Sequence, residues 1–434
     1  LEQGRAARDF ISSHAAGFES FKADLDALSW EAITAACGLA RSDIERVAAA
    51  YGRAKNAVFA WGMGMTHHVH GVSNVEAIAN LALLRGMIGR RFAGLLPLRG
   101  HSNVQGIGTI GVKPVLARDV LDRMQEAFGV TFPEEQGLDT MACMQKAAAG
   151  EIDAAVIMGG NLWAATPDTT FSSRAMASIG FKLFLTTTLN QGHVHGVGDG
   201  EMMILPVTAR DEEWEPTTQE SMFNFVRLSD GGIRRIETVR PESWILGQLG
   251  KRMLPHAPID FAAFSGHAKL RDAIAAIVPG MEELADIDVA KREFHIRNRV
   301  LHVPEFGTSD GKGHFVVTPV PEHAPGRLML ASMRSEGQFN SIIYEESDSY
   351  RGQARRESIF LCAEDMEKRG LVEGQAIMVR SEAGEMRGIA TRFDLPQGSV
   401  LAYYPEANVL TGQAVDPRSK TPAFKSVPVE ISAA

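Results

Sequence analysis

Residues 152–161, IDAAVIMGGN, join a short apolar run to a pair of glycines, and residues 57–64, AVFAWGMG, repeat this arrangement. Helix-like spacing covers 138–149 before the first of these runs and 74–87 after the second. A short continuous apolar run is typical of a strand buried on both faces of a parallel sheet. Strand, glycine turn and helix in succession indicate a doubly wound, Rossmann-like α/β region, with further candidate strands at 181–187 and 201–207.

The two ends of the chain differ in character. Helical spacing fills 1–56, where Ser42 and Glu45 have the spacing of a capping box, and it returns at 241–254 and 259–277. From 326 onward, glycine and proline turns separate short β-rich runs, which predicts a small β-barrel. These runs are 327–332, 376–380, 388–392, 400–404 and 427–431. We therefore expect three domains, at 1–115, 116–325 and 326–434.

Charge and hydropathy limit the partners of the protein. The net charge of −9 disfavours nucleic acid, because proteins that bind phosphate backbones present basic patches. No run approaches the ~18 apolar residues that span a membrane, so we expect no membrane segment. The chain opens at Leu1 on a charged, helix-like segment without a visible signal peptide. We expect a processed terminus or a fragment, and a cytoplasmic location.

Three cysteines, Cys37, Cys143 and Cys362, lie far apart, and none forms a Cys-x-x-Cys pair. This spacing disfavours a disulfide framework and a cluster held by four thiolates of this chain. Because cysteine is among the most buried residue types, we predict that all three are buried structural thiols.

Three strand ends are candidate ligand sites: Gly62 with Gly64, Gly159 with Asn161, and Thr187. The carboxyl ends of parallel strands converge on a crevice, where helix N-termini offer N–H groups to anions. None of the three is a complete G-x-G-x-x-G motif, and each is also typical of a plain tight turn.

Two histidine clusters share the string His-Val-His-Gly, and they comprise His67, His68 and His70, then His193 and His195. In an extended segment, residues i and i+2 point the same way, so each pair could chelate a metal ion. This leaves a zinc or iron hydrolase as one hypothesis. The other is that these are polar loop residues that hydrogen-bond a ligand or water.

Arg99 lies in the polar, glycine-flanked segment 98–106, LRGHSNVQG. A guanidinium in such a setting can pair with an oxyanion through two parallel hydrogen bonds. The alternative is a solvated loop.

The chain resembles molybdopterin oxidoreductases of the formate dehydrogenase type, an alpha-subunit-like branch of the dimethyl sulfoxide reductase superfamily. The resemblance rests on several motifs in one order. They are WGMGMTHH at 61–68, AIANLALL at 77–84, PLRGHSNVQG at 97–106, MGGN at 158–161, LVEG at 371–374, YPEAN at 404–408 and DPRSKTPAFK at 416–425.

The resemblance implies a centre of molybdenum or tungsten held between two molybdopterin guanine dinucleotides, and a C-terminal barrel of the double-psi type that binds the dinucleotide. It implies that Arg99 orients a formate-like carboxylate. We also assign His101 to the catalytic residues, at a position where these enzymes often have glutamine or asparagine. The implied cofactor-binding residues are Gly62, Gly64, Gly159, Asn161, Thr187, Arg334, Gly337, Gln338, Asn408 and Lys425.

The departures from the family pattern bear on activity. In the family, a cysteine or selenocysteine that binds the metal and a four-cysteine 4Fe-4S set lie upstream of these motifs, and this chain holds neither. The resemblance thus implies a missing N-terminal segment or subunit with the iron–sulfur cluster, and an electron-acceptor protein as a further partner. Gly160 and Leu162 stand where the family has glutamate and proline, which leaves the substrate open. A non-catalytic, cofactor-binding half is the alternative.

Overall fold

The computed structural model describes residues 1–133, 135–297, 299–321 and 326–434. It separates into two compact units: the first comprises 1–98, 164–170 and 301–434, and the second 99–163 and 171–300. The predicted domain boundary near 325 lies outside the described residues. The fold class is confirmed, because the chain contains α/β segments followed by a closed β-barrel.

The first stretch of the first unit contains four helices, a βαβ segment and a short strand. Strands β2 and β3 pair in parallel, with Val58 opposite Gly94, and two helices connect them. The elements are α1 (Arg8–His14), β1 (Ala15–Ala16), α2 (Phe18–Ala27), α3 (Trp30–Cys37), α4 (Arg41–Arg53), β2 (Val58–Trp61), α5 (Met63–Thr66), α6 (Gly71–Leu84) and β3 (Gly94–Pro97). The capping-box prediction is wrong, because α4 already begins at Arg41 and no side chain caps it.

The second unit is built on a three-stranded parallel sheet in the order β4-β5-β6. Helix α12 packs on β5 and β6 through Ile245, Leu246 and Leu249. Helices α10 and α11 lie where the chain passes between the two units. With these two helices included, the elements of this part of the chain are α7 (Val104–Thr109), α8 (Arg118–Phe128), α9 (Thr140–Ala148), β4 (Ala154–Met158), α10 (Leu162–Ala165), α11 (Thr169–Ala177), β5 (Phe181–Thr186), β6 (Glu201–Pro206), β7 (Thr217–Glu220), β8 (Phe225–Ser229), α12 (Glu242–Met253), α13 (His267–Ile277), α14 (Ile287–Ala290) and β9 (Phe294–His295).

Strand β4 corrects the expectation of burial on both faces. Val156 and Met158 are each 49% exposed, since β4 is an edge strand of its sheet. The middle strand β5 does have both faces covered, with Leu183, Phe184 and Leu185 all buried. An apolar run thus predicted a strand correctly, but its burial depends on the position of that strand in the sheet.

The C-terminal stretch closes a barrel in the order β11-β15-β12-β14-β13-β16. Its interior is apolar, and Ile359, Ile377 and Val379 are fully buried, each burial contributing about 1.5–3 kcal/mol. The elements are β10 (Gly313–His314), which pairs with β1, then β11 (Leu328–Met333), β12 (Ser358–Leu361), α15 (Ala363–Lys368), β13 (Ala376–Arg380), β14 (Glu385–Arg392), β15 (Ser399–Tyr403) and β16 (Val427–Ala433). Strand β12 was not predicted.

Candidate cofactor site

The loop that follows β2 exposes bare backbone at two predicted positions. A Cβ atom added at Gly62 or at Gly64 would meet no described heavy atom within 4 Å, and neither residue has a positive φ. Neither crowding nor backbone conformation therefore accounts for glycine there. One remaining reason for glycine at these positions is that a ligand approaches the backbone closely.

This loop contacts the end of the barrel through a group of side chains that we call the Lys425 cluster: His67, Arg334, Tyr404, Phe424 and Lys425. The Lys425 backbone N–H donates to the His67 carbonyl at 3.0 Å, and the Lys425 ammonium donates to the carbonyl of Ser332. The Phe424 ring lies 5.4 Å from His67 and 5.8 Å from Tyr404. The Arg334 guanidinium lies 5.5 Å from the Tyr404 ring centre.

The Lys425 cluster is electrostatically unfavourable for cations. Burial, reinforced by Arg334, lowers the pKa of Lys425 to about 8. Burial, reinforced by Lys425, Arg334 and His68, lowers the pKa of His67 to about 4. An anion placed among these groups would favour the charged form of Lys425. The cluster is therefore suited to a phosphate or another anionic group.

The loop 334–340 of the barrel is fixed by Arg356, which the sequence analysis did not single out, and by Gln338, which it did. Arg356, 5% exposed, donates to both carboxylate oxygens of Glu406 at 2.5 and 3.0 Å and to the Tyr404 carbonyl at 2.6 Å. Gln338 donates to the carbonyls of Asn340 and Tyr404, both at 2.7 Å. The Gln338 amide thus holds the loop, while Gly337, with φ +65°, forms its exposed turn.

Asn408 is 1% exposed and lies in a 3-10 helix (Glu406–Leu410). Its Nδ2 group donates to the carbonyls of Ala164 at 2.7 Å and Thr166 at 3.3 Å. Its Oδ1 atom is buried and has no hydrogen-bond partner among the described residues. A buried acceptor in this state costs free energy, which a donor group on a ligand would recover.

Two further residues position the loop after β2, and the sequence analysis assigned this role to neither. Asp416, 2% exposed, accepts the backbone N–H of Val72 at 3.0 Å in the first turn of α6. Ser426 lies 3.1 Å from His68 Nδ1, and His68 Nε2 lies 2.9 Å from the Gly64 carbonyl. The contacts of Asp416 and Ser426 each join residues more than 340 positions apart, so no local motif could reveal them.

In the second unit, the ends of β4 and β5 bring Gly159 and Asn161 next to the loop 189–196. The Gly159 N–H donates to the Leu185 carbonyl at 2.6 Å. Asn190 donates to the Gly160 carbonyl at 3.0 Å. The buried Asn161 packs so closely that a Cβ at Gly192 would lie 2.4 Å from its Oδ1. Thr187 follows β5 directly and is exposed.

The histidines do not form the metal site that remained one hypothesis. His193 is 4% exposed and accepts the Asn190 N–H at 3.0 Å through Nδ1, and burial lowers its pKa. His195 is exposed and stacks on Trp163, with ring centres 4.4 Å apart. Within the part of the chain that the structure describes, no three His, Cys, Asp or Glu side chains are placed to hold a metal ion.

Two of the three predicted thiol burials are wrong. Cys37 and Cys143 are exposed, and Cys362 alone among these three is buried. Its Sγ lies 3.2 Å from Asp365 Oδ2. Cys37 and Cys143 both lie on helices, at positions that face solvent.

Arg99 and His101 lie at the start of the second unit, just after β3. Arg99 is exposed and His101 is partly buried. The side chain of the neighbouring Asn103 accepts the Glu220 backbone N–H at 2.9 Å. This hydrogen bond ties the segment that follows His101 to strand β7. The catalytic roles of Arg99 and His101 stay predictions.

No helix in the described ranges is both long and apolar enough to cross a membrane.

Comparisons with known proteins agree with this geometry. Residues 40–184 match the family described as Molybdopterin oxidoreductase, and residues 328–428 match the Molydopterin dinucleotide binding domain. An uncharacterized oxidoreductase of Mycobacterium tuberculosis is 32% identical over 98% of this chain and 57% of its own length. This chain thus spans little more than half the length of that relative.

Two other comparisons cover part of the sequence or the fold alone. Formate dehydrogenase H of Escherichia coli is 33% identical over 168 residues, which are 37% of this chain and 24% of that protein. The structure of acetylene hydratase from Pelobacter acetylenicus matches with a TM-score of 0.70 at 12% identity, over 100% of this chain and 68% of that one. The latter shows that the fold is shared.

Proposed function

Since this chain belongs to the molybdopterin oxidoreductase family, we propose that it forms part of an enzyme that acts on a small substrate at a bis-molybdopterin guanine dinucleotide centre with molybdenum or tungsten. The observation that supports this most is the Lys425 cluster. Two half-buried cations and a neutral histidine meet there beside bare glycine backbone.

The residues of the first unit fit such a cofactor. Lys425 and Arg334 would neutralise its anionic groups, and Asn408 Oδ1 would accept a hydrogen bond from one of its N–H groups. Gly62 and Gly64 would let the cofactor approach the backbone. When bound, the cofactor supplies the two-electron redox chemistry. The chain binds the cofactor, compensates its charge and excludes water from it.

The proposed substrate class is a formate-like carboxylate. Arg99 carries this part of the proposal, because a planar guanidinium can hold a carboxylate with two parallel hydrogen bonds. The distant similarity to formate dehydrogenase H supports the same class. His101, partly buried two residues further on, would stand beside the substrate.

A cofactor-binding half that needs a further part for catalysis is the second candidate. The cysteine positions favour it: Cys37 and Cys143 are exposed, and Cys362 lies in the barrel next to Asp365. None of the three belongs to the Lys425 cluster. A metal-ligating thiolate, a 4Fe-4S cluster and an electron acceptor would then come from outside residues 1–434.

The test uses the full-length protein that contains this chain. Molybdenum, tungsten and pterin are measured per polypeptide, and reduction of a dye is followed with formate and a panel of small carboxylates. We expect stoichiometric metal and pterin together with oxidation of one carboxylate. Protein that holds neither metal nor pterin contradicts the proposal, whereas a loaded protein that is inert toward the whole panel contradicts the substrate class.

A further inference from the structure

The second unit contains a cleft of about 170 Å³ between β7, α13 and the end of α7. Much of its wall is apolar, with contributions from Ile110, Val226, Ile274, Met281 and Leu284. One water needs only ~10–15 Å³ of such space, whereas drug-sized ligands occupy pockets of roughly 300–1,000 Å³. The cleft therefore suits a small molecule with an apolar body.

Two oppositely charged and deeply buried side chains also line this cleft. Glu220, 2% exposed, pairs through Oε1 with Arg299 at 2.9 Å. Arg271, 3% exposed, donates to the Pro216 carbonyl at 2.7 Å and pairs with Asp288. Each keeps one buried polar atom that finds no hydrogen-bond partner in the described residues: Glu220 Oε2 and Arg271 Nε.

These two charged atoms constrain the chemistry of a ligand most strongly; the amide oxygen Gln219 Oε1, of a residue that also lines the cleft, is a further buried acceptor without a partner among the described residues. Glu220 Oε2 is a charged acceptor and Arg271 Nε is a charged donor, and both are costly to leave unpaired. Each ionised group already has one partner of opposite charge, so the ligand that completes the site is net neutral. It carries a cationic donor, an anionic acceptor and an apolar portion.

We propose that this cleft binds a small zwitterion with an apolar body, namely an α-amino acid with an aliphatic side chain. Its ammonium group donates to Glu220 Oε2, its carboxylate accepts from Arg271 Nε, and its side chain packs on the apolar wall. Charge-assisted hydrogen bonds of this kind are the strong ones. The site shares no residue with the Lys425 cluster and does not depend on the proposed function.

L-Leucine is the probe, titrated calorimetrically into the full-length holoenzyme. 4-Methylpentanoate lacks the ammonium group and isopentylamine lacks the carboxylate, so each should bind at least about tenfold more weakly, the equivalent of one lost hydrogen bond. Saturable binding of L-leucine with this order of affinities supports the proposal. Absence of saturable binding up to about 10 mM, or equal affinity for 4-methylpentanoate, overturns it.

A matched pair of variants locates the binding. Ile110→Trp fills the cleft, whereas Ile107→Trp alters an isoleucine of α7 that is similarly exposed, 43% against 39%, and does not line the cleft. We expect Ile110→Trp to weaken L-leucine binding more than about tenfold and Ile107→Trp to leave it unchanged. Equal binding by the two variants contradicts the assignment.

Hydrogen exchange on the wild-type protein tests the site even if Ile110→Trp misfolds. L-Leucine should slow exchange of the backbone amides at 270–277 and 217–220, since these segments form the cleft. Unchanged exchange at both segments under saturating L-leucine contradicts the proposal.

Discussion

Lys425→Met tests the electrostatics of the Lys425 cluster, because it removes the charge and keeps the length of the side chain. In the cofactor-free protein the pKa of Lys425 falls from 10.5 to about 8, mainly through burial. At about 1.4 kcal/mol per pH unit, and allowing for solvent screening, the ammonium destabilises this state by about 2–3 kcal/mol at neutral pH. Loss of its hydrogen bond to Ser332 costs about 1 kcal/mol. The cofactor-free variant should therefore be more stable than wild type by about 1–2 kcal/mol.

The pH dependence of this difference has a defined sign. The folded-state pKa lies below the unfolded value, so the destabilisation by the Lys425 ammonium is complete below pH 8. It disappears as the pH rises from about 8 to about 10.5. Thermal melting of both cofactor-free proteins should show a gap at pH 7 that narrows across this window.

The loaded protein should respond in the opposite direction. There the ammonium has an anionic partner, and a hydrogen bond to a charged group contributes about 1.5–3 kcal/mol, so Lys425→Met should lower metal and pterin occupancy about tenfold or more. Lys368→Met, at an exposed position of α15, is the control and should change neither quantity. A Lys425→Met protein that melts below wild type without cofactor, or that keeps full metal and pterin, would refute the reasoning.

Three further predictions concern Arg99, Asn408 and the three cysteines. Arg99→Lys should keep metal and pterin bound and cut turnover per bound metal by roughly two to three orders of magnitude, as for loss of one preorganised charge-stabilising contact; unchanged turnover per metal would remove Arg99 from the catalytic residues. Asn408→Ala should lower the melting temperature of the cofactor-free protein, because it removes hydrogen bonds to two buried carbonyls worth about 1–3 kcal/mol, and an unchanged melting curve would count against this. Maleimide should label Cys37 and Cys143 in the native protein, while Cys362, whose pKa is raised by burial, is labelled only after unfolding; mass spectrometry distinguishes the outcomes.

Local sequence patterns predicted several strands at or close to their observed positions, whereas β7, β8 and β12 were not predicted. Strand β4, observed at Ala154–Met158, lies within the predicted run 152–158, and β13 was predicted with its observed ends, Ala376–Arg380. Strand β12 was missed because its four residues follow the charged segment RRE at 355–357. A run this short is recognisable as a strand only from the closed barrel around it.

The candidate site was less accessible to sequence reasoning, because its contacts join distant segments. The motif at 61–68 and the stretch ending in Lys425 were each recognised, but their hydrogen bond at 3.0 Å is a property of the fold. Asp416 was part of a quoted motif, yet its role in binding the first turn of α6 depends on a contact across 344 positions. No motif in the sequence marks Arg356, because the partner of its guanidinium group is Glu406, 50 residues further on.

A buried charge at Lys425 and, at Asn408, a buried acceptor without a hydrogen-bond partner among the described residues both reduce the stability of the first unit. At Lys425 a cation is held among basic groups in a poorly solvated place. At Asn408 an acceptor is buried without a donor. Folded proteins depart from local physical rules mainly at functional sites, and both costs are relieved by a ligand that has anionic groups and N–H donors on one molecule. A pterin dinucleotide has both kinds of group, which is consistent with the proposal that Lys425 and Asn408 bind it. Substitutions at the two residues should therefore reduce cofactor occupancy by separate routes, and only the one at Lys425 should stabilise the cofactor-free chain.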